Sequence, residues 1–143
     1  MASTITAANL KITIIEEVNL NGKDQGGKTT QTVSSINEVD SRIITVPSGS
    51  QTNLFSLSNN PSAGTFVTSS LKYARITNKD DSQHLRLRVS SSVANSGDFR
   101  INPGDSFLLT NSKVTGSIGT TLNSTFNYTD ITGIFVDPSG SDI

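Results

Sequence analysis

The chain has 143 residues, 11 Lys or Arg against 12 Asp or Glu, and a net charge of -1. That length supports one domain with a real core, and the charge balance excludes the strong basic excess of a nucleic-acid-binding domain. Cysteine is absent, which removes thiolate metal sites, redox motifs, thiol nucleophiles and disulfide staples.

Only 33% of the residues are hydrophobic, and 53 are Ser, Thr or Asn. Those short polar side chains compete for backbone partners and disfavour helix interiors. The apolar residues come in short alternating runs, the pattern of a thin β core in which each strand buries every second side chain. No stretch repeats apolar residues at helical spacing over three turns. No apolar run approaches the roughly 20 residues of a membrane helix, and Met1–Thr6 lacks the basic and apolar regions of a signal peptide.

In chain order, Leu10, Ile12, Ile14, Val18 and Leu20 share one parity. They predict one long strand, or two short ones broken at Glu16. Gly22–Lys28 holds three glycines in seven residues and reads as a flexible hairpin tip or arm. Thr29 to Val33 is a β-branched strand. The apolar parity switches between Val33 and Ile36, which places a β-bulge at Ser34-Ser35. Arg42 to Val46 and Asn53 to Leu57 are further strands, separated by Pro47–Ser50. A loop covers 58–64, and Thr65 to Thr68 is a short strand.

The centre of the chain is its clearest signal. Leu71–Asn78 and Gln83–Val89 alternate on either side of a polar turn, which reads as a β-hairpin. A tight turn at Asp80-Asp81 would pair Ala74 and Ile76 with Leu87 and Leu85. Tyr73, Arg75, Thr77, His84, Arg86 and Arg88 would fall on the opposite face, with Arg75 across from Arg86. Ser90 to Gly97 reads as loop. Phe99 and Ile101 alternate, Asn102–Asp105 turns the chain, and Ser106–Thr110 is a buried strand. Thr125–Tyr128 and Ile131–Val136 close the fold. Turn signals recur every 8–12 residues or so, the spacing of a sandwich or barrel. The expectation is an all-β, antiparallel β-sandwich, jelly-roll-like, forming a single domain over 1–143. An N-terminal arm (about 1–8) and the 22–28 tip extend from it.

Catalytic chemistry finds no foothold. His84 is the only histidine, and no nucleophile motif accompanies it. Lys79–Ser82 and Asp137–Asp142 carry oxygen ligands but lack calcium-loop spacing, so they read as turns. Glu16 and Glu17 are adjacent and face opposite sides of a strand, whereas glycoside hydrolysis needs converging carboxyls. Asn123-Ser124-Thr125 and Asn127-Tyr128-Thr129 match the glycosylation sequon but read as strand sequence. Gly22–Lys28 has no P-loop spacing and no following helix. No catalytic residue, metal site or cofactor is expected. The remaining candidate is an interface built from Tyr73, Arg75, Arg86 and Arg88. Like charges opposite one another are mildly unfavourable, and an acidic partner surface or a facing carboxylate would relieve them. The polar ends, such as Ser139-Gly140-Ser141, would fray alone, and a neighbouring subunit is their expected anchor.

The segment Tyr73-Ala74-Arg75-Ile76-Thr77-Asn78, then Leu85–Val89, then Phe99–Leu109 with its Pro103-Gly104-Asp105-Ser106-Phe107-Leu108-Leu109 run, resembles small β-sandwich structural proteins of tailed bacteriophages. The resemblance covers about residues 71–110 and consists largely of hairpin grammar. It implies a non-enzymatic virion component that binds and stabilises a capsid lattice, a decoration or cement protein. A neck or tail accessory protein is the alternative. Its partners would be copies of itself, the major capsid protein or other virion subunits, without nucleic acid or membrane. It would be made in the host cytoplasm and end in the virion. A carbohydrate-binding module or adhesin is the rival from another class. It would need exposed aromatics, and the chain has no Trp and two Tyr.

Overall fold

The computed structural model describes residues 6–58, 65–67, 71–91, 96–110, 115–116 and 129–143. These residues are all-β and contain no helix. Backbone contacts divide the chain into two units, Met1–Ser41 and Arg42–Ile143.

The first unit is an antiparallel ribbon. β1 (Ala8–Glu16) pairs with β4 (Gly27–Ile36), and between them β2 (Asn19–Leu20) pairs with β3 (Lys23–Asp24). One register runs without slip from Leu10 opposite Val33 to Leu20 opposite Lys23. The tip is the two-residue turn Asn21-Gly22, with φ of 52° and 77°. Positive φ at both positions is the type I′ geometry that matches strand twist, and Asn-Gly is its preferred dipeptide. Lys23–Lys28, expected within a loose tip, is therefore already the returning strand. At the base, three residues from Val33 to Ile36 span the distance that Ala8 to Leu10 covers, and Ser35 adopts φ 60°. The bulge expected at Ser34-Ser35 is there.

The second unit holds the core. β5 (Thr52–Ser58), β6 (Thr65–Val67), β8 (Leu85–Ser91), β9 (Ser96–Ile101) and β12 (Thr129–Pro138) form one sheet in the order β6-β5-β12-β8-β9. β11 (Thr115–Gly116) pairs with the start of β12. All these pairings are antiparallel except β5 with β6. β7 (Tyr73–Thr77) and β10 (Ser106–Thr110) form a separate antiparallel pair. The central strands supply the most buried side chains: Leu87 of β8 and Ile134 and Val136 of β12. Burying each is worth about 1.5–3 kcal/mol. Ile76, Phe107 and Leu109 of the two-stranded sheet pack against this same cluster. Phe99, opposite Leu87 on β9, reaches the Phe107 ring at a centroid distance of 4.8 Å.

The central hairpin does not form. β7 pairs with β10, Ala74 lying opposite Leu109 and Ile76 opposite Phe107, while β8 pairs with β9 and β12. Alternation identified the inward faces correctly, because Ala74, Leu85 and Leu87 are buried and Ile76 packs on the core. It could not identify the partner, because an arch that crosses between sheets preserves the same parity as a hairpin. Asn78 makes the crossing. It is 1% exposed, and its amide donates to the carbonyls of Gln83 at 2.7 Å and Ile101 at 3.3 Å. Its backbone N–H donates to the Asp105 carbonyl at 3.0 Å, and its carbonyl accepts from Gly104 at 3.1 Å. That ties the 78–84 crossing to the neighbouring β9–β10 crossing. There, Asp105 N–H returns to the Asn102 carbonyl and Gly104 takes φ 76°, the glycine position of a type II turn after Pro103.

Arg42–Val46 is not a strand of either sheet. Val46 is nevertheless buried and exchanges two backbone hydrogen bonds with Ile143, at 2.5 and 2.9 Å. Ser48 N–H donates to Asp142 Oδ1 at 2.6 Å, and Ser139 N–H donates to the His84 carbonyl at 3.0 Å. The C-terminal residues are thus bonded within the chain. Ser90–Gly97, expected as loop, contributes the end of β8 and the start of β9. Thr125–Tyr128 and the sequon asparagines lie outside the described residues.

Candidate interaction surfaces

Three surfaces are built by these elements. The first is the outer face of the larger sheet, fixed by the parity opposite to Leu85 and Leu87. Arg86 stands between Arg100 on β9 and Asp137 on β12, and Arg88 stands between Asp98 and Phe135. Arg88 holds Asp98 through two bonds, Nε to Oδ1 at 2.7 Å and Nη2 to Oδ2 at 2.8 Å. Arg86 pairs with Asp137. Hydrogen bonding from Arg88 holds the Asp98 carboxyl below its usual range, and Asp98 in turn raises Arg88. Three arginines and two aspartates leave this face close to neutral, so it creates no strong field.

The second surface is the outer face of the two-stranded sheet. Tyr73, Arg75 and Thr77 share it with their partners Thr110, Leu108 and Ser106. Arg75 is exposed and makes no ion pair with any described residue. The four residues expected to form one patch are thus divided. Arg86 and Arg88 lie on one sheet and are satisfied by carboxylates on adjacent strands, while Tyr73 and Arg75 lie on the other. The cation facing Arg86 is Arg100, not Arg75. Arg100 was legible as a neighbour, since it alternates with the apolar Phe99 and Ile101.

The third surface is the ribbon. Ile14, Ile15, Val18 and Leu20 are 45–61% exposed, although Ile14, Val18 and Leu20 belong to the most regular apolar row in the first half of the chain. Residues of both parities are involved, so the ribbon shows aliphatic side chains on both faces. Its Leu10-to-tip length is about 40 Å at ordinary strand rise.

The turn residues act as turns. Asp80 Oδ1 accepts from Ser82 N at 2.7 Å, Ser82 Oγ at 3.0 Å and Gln83 N at 2.6 Å, and these donors, led by the Gln83 amide, lower its pKa. Asp142 is lowered in the same way by the Ser48 amide. Among the described residues, no three His, Cys, Asp or Glu side chains converge as a metal site would require. No protein-family model, curated protein or solved structure matches this chain.

Proposed function

We propose that this chain is a non-enzymatic structural protein of a tailed-bacteriophage particle, binding and stabilising the capsid lattice as a decoration or cement protein. Its body in this reading is a jelly-roll-like β-sandwich, in which the two-stranded sheet forms the second layer over the core. The observation that carries the reading is the ribbon, a long two-stranded unit whose Ile14, Ile15, Val18 and Leu20 side chains are exposed. Exposed aliphatic strands with open edges are a liability unless a neighbour covers them. A lattice-binding protein supplies that neighbour, and strand addition is an established way to bind one. The likeness of residues 71–110 to phage β-sandwich proteins points the same way. The interface candidates are now the ribbon, with Tyr73 and Arg75 as a second contact. Arg86 and Arg88 recede, because their charges are already answered within the sheet.

The test is immunogold labelling of particles from the source of this sequence, using antibody raised against the isolated chain. Label on the shell supports the decoration role. Label confined to neck or tail supports the accessory role instead, and particles without label overturn both. On the described sheet faces the carbohydrate-binding alternative has Tyr73, Phe135 and the 46% exposed Phe99 as aromatic candidates. Binding to a glycan array by the isolated chain would favour it.

A further inference from the structure

The two edges of the ribbon differ. β4 is interrupted by the Ser34-Ser35 bulge, with Ser35 at φ 60°, while each strand carries one lysine, Lys28 on β4 and Lys11 on β1. A bulge is a common means of blunting a sheet edge. From Leu10 to Glu16, β1 has no bulge and no proline, and its outer edge pairs with no described strand. It is the more adhesive edge, and its residues complement themselves.

We infer that two copies of this chain join antiparallel along the free edge that runs from β1 through Glu17-Val18 into β2, in the register that sets Ile14 of one copy opposite Ile14 of the other. This rests on reading the ribbon as an adhesive surface and identifies what covers it. A two-fold axis perpendicular to a sheet pairs residues of the same parity. About Ile14 it sets Leu10 opposite Val18, Ala8 opposite Leu20 and Ile12 opposite Glu16, so the exposed Ile14, Val18 and Leu20 meet aliphatic partners while Glu16 stands beside Ile12. On the other face it sets Lys11 opposite Glu17, twice by symmetry, and Thr13 opposite Ile15. The neighbouring register about Thr13 has no such charge pair, since it sets Lys11 opposite Ile15. Charge therefore selects the register, as cross-strand pairs do within a sheet. The product is a four-stranded sheet whose two outer edges are the blunted β4 strands, so the assembly closes at two copies.

Sedimentation equilibrium of the full chain tests this. The expected species has twice the chain mass at high concentration. Lys11→Glu and Glu17→Lys should each weaken self-association by about tenfold, because two attractive pairs become two repulsive ones. The double variant Lys11→Glu with Glu17→Lys should restore it. Both side chains changed are exposed, so the ribbon itself is kept. A monomer at every concentration, open-ended oligomers, or a double variant no tighter than the single ones would overturn the inference. A monomer in solution that still labels particles would remove the two-fold pairing and keep the virion role. A charge-reversible dimer absent from particles would do the opposite.

Discussion

Arg88 and Asp98 meet across β8 and β9 as a fork, with two parallel hydrogen bonds of 2.7 and 2.8 Å. Both side chains are more than a third exposed, so water screens the pair and its net contribution is small. Reversal costs more than removal. Arg88→Glu places two carboxylates directly opposite each other, and Arg86→Glu does the same against Asp137. The double reversal is expected to lower Tm by roughly 2–5 °C, so its effect on binding would be confounded with stability. Arg75→Glu, on the other sheet, is expected to shift Tm by no more than about 1–2 °C. Thermal unfolding followed by circular dichroism distinguishes the two.

Asn78 is the polar residue on which the crossing between sheets depends. Asn78→Ala removes both amide donors from the Gln83 and Ile101 carbonyls and the acceptor that receives Asp80 N–H at 3.1 Å. Those backbone groups then lose partners in a buried setting, which costs about 2–4 kcal/mol. Asn78→Asp should cost at least as much near neutral pH, because a carboxylate would face two carbonyl oxygens. Part of that loss should be regained as acid protonates it. Urea unfolding checks both, with a lower midpoint and an unchanged slope as the expected result.

The inward faces of this fold were readable because burial and strand parity are local. Leu85 and Leu87, Phe107 and Leu109, and the parity switch at Ser34-Ser35 all express side-chain alternation within a few residues. Partner choice is not local. Ala74 and Ile76 present the same face whether the chain doubles back or crosses to a second sheet. What selects the crossing is Asn78, whose type alone reads as an ordinary turn residue. The bonds between Val46 and Ile143 join residues from opposite ends of the second unit, and no short pattern encodes such a pair. The Asn21-Gly22 turn was written in the sequence, but the glycine-rich stretch after it obscured a strand already on its way back. For the candidate interface, charge type was legible in Arg86 and Arg88, whereas their neutralisation by Asp137 and Asp98 required the strand order.

Acid should destabilise the second unit in a defined window. The folded-state pKa values of Asp80, Asp98 and Asp142 are all depressed, by hydrogen bonds from Gln83, Arg88 and Ser48 respectively. The unfolded chain therefore takes up protons first as pH falls. The stabilisation is fully present above the unfolded carboxyl pKa, near pH 4, and is lost progressively as pH drops through the lower folded values. Tm measured between pH 6 and pH 2 should fall below about pH 4. Asp80→Asn should lie below the parent at pH 6 and converge towards it at pH 2. A constant gap between the two curves would count against the Asp80 carboxylate as a source of the acid sensitivity.

Gly26 controls whether the ribbon stays closed between its two paired segments. A Cβ there would sit 2.0 Å from the backbone carbonyl oxygen of Glu16, and no side-chain rotation can relieve a clash with backbone. Gly26 N–H also donates to Asp24 Oδ1 at 2.8 Å, and Gln25 N–H donates to the Val18 carbonyl at 2.7 Å. Gly26→Ala must therefore separate the strands or shift their register. Gly22→Ala has open space but a φ of 77°, a backbone strain of about 1 kcal/mol. Gly26→Ala is expected to cost more than that. Hydrogen exchange provides the check. Amides of β2, β3 and the adjoining ends of β1 and β4 should lose protection in Gly26→Ala, while those of β8 and β12 keep theirs. If the paired β1 edges hold two copies together, this variant should also weaken self-association, because the Val18 and Leu20 contacts lie on the segment it displaces.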